Sequence, residues 1–235
     1  MKRKVLSKVG KTTNNSDSDF DVLPMFPSGV NRLLRKEMVS TLYEYYLTSD
    51  VGEPDEYIDL CDALRSAGEQ DQFVIRINSG GGLLSSANMI INAINETQAH
   101  VHGVIESTAA SAATMIFLAC HSYSLGEEAD MMIHTSSSMY GGKEHEQFSY
   151  VMHGRKKIHR MMKERYEGFL TEVELSRILD GVDMWFDREE IEERLENFTE
   201  FQQKKFEAEL EAFQKEQEDV IEGSVKPKKK KILPS

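Results

Sequence analysis

Cysteine is scarce in this chain, with two among 235 residues. Neither Cys61 nor Cys120 stands in a CxxC or metal-ligand spacing, so no disulfide framework or thiol-based metal site is expected. The seven histidines form no zinc motif, and neither a metal nor a cofactor is expected. Cys120 falls late in an apolar helical stretch, where a free thiol packs as a small, inert hydrophobe. No apolar run is long enough to span a bilayer. Positive charge is outnumbered, 28 Lys and Arg against 40 Asp and Glu, for a net charge of -12. Such a body repels nucleic acids and anionic lipid surfaces, so neither is an expected partner. The start, MKRKVLSKVG, has the charge of a signal peptide with no apolar stretch behind it, and a cytoplasmic location is expected. No internal repeat is visible.

What is present reads as one sizeable domain with polar ends. Residues 1–22, with the run KTTNNSDSDFD, can bury little and read as a flexible arm. Residues 223–235, GSVKPKKKKILPS, read as a solvated basic tail. In between, STLYEYYL (40–47) reads as a strand. EPDEYIDLCDALRSAG (53–68) reads as a helix with Ile58, Leu60, Cys61 and Leu64 at helical spacing. FVIRIN (73–78) reads as a strand in a covered sheet, and the segment after SGGG as a helix with Ala87, Ile90, Ile91 and Ile94 on one face. HVHGVIES (100–107) is the next strand, AASAATMIFLAC (109–120) a buried helix, and MMIHT (131–135) a further strand. This alternation predicts a parallel sheet with helical crossovers. Residues 141–170 then read as one long helix, with Phe148, Met152, Ile158, Met161, Met162 and Phe169 apolar, followed by the short helix TEVELSRIL. After the tight, polar DGVDMWF, Asp187 and Glu190 are spaced as a capping box for a helix running to about residue 220. Its incomplete stripe of Ile191, Leu195, Phe198, Phe206, Leu210 and Phe213 predicts docking on the body or on a neighbouring subunit.

Four pieces could carry chemistry, each beside a plainer alternative. INSGGG (77–82) follows a strand, and its glycines allow a sharp turn that exposes backbone N–H groups. It is otherwise a simple strand-to-helix turn, and it lacks the GK[ST] ending of a phosphate loop. Ser111 in TAAS (108–111) opens an apolar helix and so suits a cap. Flanked by Ala109, Ala110, Ala112 and Ala113, its hydroxyl is also open to a carbonyl, with the Ala112 N–H at the positive end of a helix. His134 closes an apolar strand, where a histidine is either a satisfied core residue or a reactive group at the carboxyl edge of a sheet. Asp180 and Asp183 in DGVD suit turn or cap positions, and either carboxylate could orient an imidazole. Spacing alone does not choose between them.

Taken in this order, the pieces resemble the Clp protease proteolytic subunit family. INSGGG looks like its NSPGG loop with Gly80 in place of proline, TAASAATMIFLA like its AASMGAFLL segment, and MMIHTSSSMYGG like its MIHQPLGG segment, including Gly141 and Gly142. The resemblance covers roughly residues 38–192, with the stretch from Ser111 to His134 slightly shortened. It implies that Ser111 is the nucleophile, His134 the general base and Asp183 the third member, a register in which Trp185 and Glu190 of MWFDREE match xFxSAxE. It implies backbone N–H groups of Gly82 and Ala112 as the oxyanion hole, and Gly80, Gly81 and Ser136 as substrate-binding positions. Two departures stand out: Thr135-Ser136 replaces the family's Gln-Pro, and a long charged helix replaces its closing Tyr-Gly-Leu strand.

The implied fold is α/β: a crotonase- and Clp-protease-like spiral of βαβ units, with an oligomerising helix over about 144–170 and an extended C-terminal helix. The expected domain spans 23–192, with a charged helical extension over 193–222. The implied activity is serine endopeptidase hydrolysis of unfolded polypeptide in a hexameric or heptameric homo-oligomeric ring, single or stacked, with an ATP-driven unfoldase as a possible partner. Three rival readings share the fold: a bacteriophage prohead protease that cleaves scaffold or coat proteins, a non-catalytic ring protein, and an acyl-CoA enzyme.

Overall fold

The computed structural model describes residues 39–135 and 144–225. The polar arm, most of the basic tail, Ser136 and the glycine pair at 141 and 142 lie outside the described residues. So do the side chains of Phe148 and Met152.

Among the described residues six strands and six α-helices follow one another. They are β1 (Leu42–Leu47), α1 (Ile58–Ser66), β2 (Gln72–Ser79), α2 (Leu84–Glu96), β3 (His100–Ala110), α3 (Ala112–Leu118), β4 (Ser122–Leu125), β5 (Asp130–Ile133), α4 (Glu144–Tyr166), α5 (Glu172–Leu179), β6 (Met184–Phe186) and α6 (Arg188–Val225). The sheet order is β1-β2-β3-β5-β6, with β4 also paired to β3. All pairings are parallel except β5 with β6. The predicted alternation of strands and helices is therefore present, as an α/β sheet with its first three crossovers made by α1, α2 and α3.

Burial explains the placement. Phe73, Ile75 and Ile77 of β2 and Val101 and Ile105 of β3 point to one face, where Leu60, Leu64, Ile90, Ile91, Ile94, Ile116 and Phe117 of the helices cover them. Each such side chain stabilises the fold by about 1.5–3 kcal/mol relative to exposure. The other face of β2 is only half covered, contrary to the expectation of a fully covered strand. There Arg76 lies between Glu44 at 3.2 Å and Glu106 at 2.6 Å, tying β1, β2 and β3 together across the sheet.

Several local expectations are corrected. Ile58 is half exposed and Tyr57 takes the buried position, because the chain enters α1 through a tighter 3-10 turn, Pro54–Tyr57, that rotates the helix face. The expected helix over 109–120 begins only at Ala112, since Ala109 and Ala110 complete β3. The polar stretch after DGV contains a strand, β6, and β4 was not anticipated. The long helix ends at Tyr166 rather than near residue 170, and its last turns pack on the body through Met162 and Tyr166. α6 starts on the expected capping box, with Asp187 N–H donating to Glu190 at 3.0 Å and Glu190 N–H to Asp187 at 2.9 Å. The boundary drawn between 192 and 193 runs through this helix, where Ile191, Leu195 and Phe198 are buried together.

Candidate active site

The carboxyl edge of the sheet gathers Ser111, His134 and Asp183, and strand register explains how. β3 and β5 pair Ala110 with Met132. One step past the first is Ser111, and two steps past the second is His134. β5 and β6 pair Ile133 with Met184 in antiparallel fashion. The next residues outward along that ladder are His134 and Asp183. Three residues far apart in sequence thus meet at one corner.

Ser111 Oγ lies 2.8 Å from His134 Nε2. His134 Nδ1 lies 3.7 Å from Asp183 Oδ1, longer than a hydrogen bond and within ion-pair range. A carboxylate on that side favours a proton on Nδ1, which leaves Nε2 free to accept from the serine hydroxyl. The histidine side chain is 24% exposed and that of Asp183 60%. The imidazole is sheltered, whereas the carboxylate acts across solvent and holds it less firmly than a buried one would. Asp180, the other candidate, forms the C-terminal cap of α5.

Ser111 is the one non-glycine residue with positive φ among the described residues, at φ 53 and ψ -123. It makes no side-chain cap bond to α3, so the simple capping role does not hold. Its N–H donates to Met132 O at 2.8 Å and its carbonyl accepts from Thr114 N–H at 3.1 Å. A serine held on such a turn between strand and helix presents its hydroxyl outward.

The glycine loop packs against this turn. Gly81 has φ 94, and a Cβ there would fall 2.6 Å from Ala110 O and 2.7 Å from Ser111 Cβ. Gly82 has φ 145 and bridges Val51, where a Cβ would meet the Val51 carbonyl oxygen at 2.3 Å. That bridge uses the N–H groups of Val51 and Leu83 and leaves the Gly82 N–H out of the ladder. Ala112 occupies the first turn of α3, where backbone N–H groups have no partner inside the helix.

A cleft of about 480 Å³ opens over Ser111 and His134, with Gly80, Gly81 and Gly82 along one side. Asp50, Leu83, Leu84, Met115, Met132, Ile158, Met161 and Met162 complete its lining. The sequence showed Ile158, Met161 and Met162 only as apolar residues of a long helix, not their place in one cleft with Ser111. The helical spacing that signalled an apolar face could have found them. Asp50, Thr114 and Tyr166 carried no signal. Beneath the cleft, burial pushes the Tyr166 hydroxyl well above its ordinary pKa, with its bond to Thr114 opposing. Burial pushes the Cys120 thiol up to about 12, as an inert core thiol requires. The described residues contain no cluster of side chains able to hold a metal ion. None of their helices is long and apolar enough to cross a membrane.

Comparison with known proteins gives a consistent picture. A family model described as Clp protease matches residues 55–193. Among solved structures, a ClpP1 mutant from Listeria monocytogenes is similar at 21% identity and a TM-score of 0.51, covering 66% of this chain and 87% of that one. A peptidase from Plasmodium falciparum is similar at 16% identity and a TM-score of 0.50, covering 64% and 91%. No curated protein matches the sequence. At these identities the structural likeness speaks for the fold, and the family match carries the class of activity.

Proposed function

The chain belongs to the Clp protease family, a family of peptidases, and on that premise we propose that it is a serine-type endopeptidase using Ser111, His134 and Asp183. The observation that carries the reading is the 2.8 Å contact between His134 Nε2 and the hydroxyl of Ser111, a serine on strained backbone at the floor of a cleft. His134 takes the hydroxyl proton as Ser111 Oγ bonds to the peptide carbonyl carbon. The N–H groups of Gly82 and Ala112 receive the negative oxygen, and Asp183 stabilises the imidazolium. His134 then returns the proton to the leaving amine, and water releases the acyl-enzyme by the reverse sequence. The backbone of Gly80 and Gly81, with Ser136 outside the described residues, would hold the peptide beside the serine. No step calls for a metal or cofactor.

A fluorophosphonate probe tests the assignment, since it reacts only with an activated serine. We expect one label per chain at Ser111 and none in Ser111→Ala, with peptide turnover falling by roughly 10⁴–10⁶ in that variant. Equal turnover by parent and variant would refute it.

We place the enzyme in a homo-oligomeric ring of six or seven chains, in the cytoplasm, taking unfolded polypeptide from an ATP-driven partner. Mass measurement at micromolar concentration should give a multiple of six or seven times 26.8 kDa. A stable monomer there rules out an enclosed chamber.

A further inference from the structure

Beneath the Ser111 turn lies a polar pair inside an apolar core. Thr114 of α3 is fully buried and Tyr166 at the end of α4 is 1% exposed. Their hydroxyl oxygens are 2.5 Å apart. Thr114 Oγ1 also donates to the Ser111 carbonyl at 2.6 Å, and the Thr114 N–H reaches that same oxygen at 3.1 Å. A hydroxyl has one proton to give. Thr114 gives its proton to the carbonyl, so the Tyr166 hydroxyl donates to Thr114. The chain of bonds runs from Tyr166 through Thr114 to the Ser111 carbonyl.

That carbonyl belongs to the peptide joining Ser111 to Ala112. A trans peptide is planar, so its oxygen and its N–H point in opposite directions within one rigid unit. Fixing the oxygen toward the interior of α3 therefore fixes the Ala112 N–H toward the outside. Ser111 sits in a backbone region disfavoured for any residue with a Cβ, so surrounding contacts must hold it there.

We propose that Thr114 and Tyr166 are positioning residues that aim the Ala112 N–H at the oxygen made negative by Ser111 attack. This rests on the reading of Ser111 as nucleophile and Ala112 as an oxyanion donor. Tyr166 arrives from 52 residues away, on the helix whose Ile158, Met161 and Met162 wall the cleft. One helix thus both lines the substrate cleft and braces the donor.

The test uses the full chain with Thr114→Val, Thr114→Ser and Tyr166→Phe. Each is assayed for kcat and KM on a fluorogenic peptide and for inhibition by the matching peptide aldehyde. The aldehyde is a transition-state mimic: Ser111 Oγ bonds to its carbonyl carbon, His134 takes the hydroxyl proton, and the carbonyl oxygen becomes the anion facing the hole. We expect Thr114→Val to lower kcat about 10- to 100-fold with KM nearly unchanged, a fraction of the loss on deleting a donor outright. Aldehyde affinity should fall by the same factor, because it depends on the same N–H. Tyr166→Phe should lose about 3- to 10-fold, since the Thr114 bond survives it, and Thr114→Ser should restore most of the parent rate.

A merely structural role would lower thermal stability and leave both kcat and aldehyde affinity at parental values, which overturns the proposal. If Thr114→Val does not fold, Tyr166→Phe decides, since it removes a single oxygen atom. A parent that cleaves peptides and labels at Ser111, with variants kinetically equal to it, sinks this inference alone. A parent that takes no label at Ser111 sinks the peptidase reading with it.

Discussion

A methyl group at position 81 has no space to occupy. Gly81 has φ 94, and its Cβ would meet both Ala110 O and Ser111 Cβ inside 3 Å. Gly181 has nearly the same φ, 99, with nothing within 4 Å. Both substitutions to alanine carry the left-handed penalty of roughly 1–2 kcal/mol, so the pair separates backbone strain from crowding. Gly181→Ala should lose only that amount and keep turnover within a few-fold. Gly81→Ala should lose about 1–3 kcal/mol more from overpacking and should displace Ser111, cutting turnover by roughly 100-fold. Urea unfolding and peptide turnover measured on both variants check this. Equal losses in the two would show that contact between the loop and the serine turn is unimportant.

At the scale of elements, Arg194 joins four pieces of chain. Its guanidinium grips Glu174 of α5 at 2.7 and 3.1 Å and donates to Phe169 O at 3.2 Å. It also lies 4.4 Å from the ring centre of Phe186 in β6, the strand that begins beside Asp183. Arg194 above all, with burial opposing it and the Thr171 cap bonds adding to it, holds the Glu174 carboxyl at about 2, against an ordinary 4.5. A carboxyl held low stabilises the fold above its ordinary pKa, and the contribution is lost as pH falls from about 4.5 toward 2. Glu174→Gln has no such proton to take up. Its stability should fall less steeply than the parent's across that window, as urea midpoints at a series of pH values would reveal. Parallel pH profiles would mean that the grip is not maintained in solution. The same region marks where sequence reading stopped. Long apolar alternations gave β2, α2 and β3 directly, because one strongly buried face leaves a period that local sequence carries. Met184–Phe186 is too short to show a period, and its strand character comes from pairing with β5. Ser111, His134 and the DGVD loop were legible as motifs. Their meeting depends on register between strands tens of residues apart, and the supporting Thr114 and Tyr166 showed no pattern at all.

At the scale of the whole molecule, α6 changes character along its length. Its 38 residues span about 57 Å at 1.5 Å each, yet burial ends early. Ile191, Leu195 and Phe198 sit in the core, and Lys205 still reaches Glu167 at 3.6 Å. Beyond them Phe206, Leu210 and Phe213 repeat at helical spacing while 66%, 46% and 58% exposed. An exposed ion pair such as Lys204 with Glu200 contributes about 0–1 kcal/mol, so among the described side chains of the outer half none adds much to the stability of a single chain. A chain ending at Lys205 should therefore match the full chain in urea within about 0.5 kcal/mol at low protein concentration. A loss above 1 kcal/mol at every concentration would mean that the outer half packs on its own body. A deficit that grows with concentration would have a different cause. Mass action stabilises whatever binds the folded state, so the full chain would then be gaining from a second molecule laid along the stripe, which the shortened chain cannot engage.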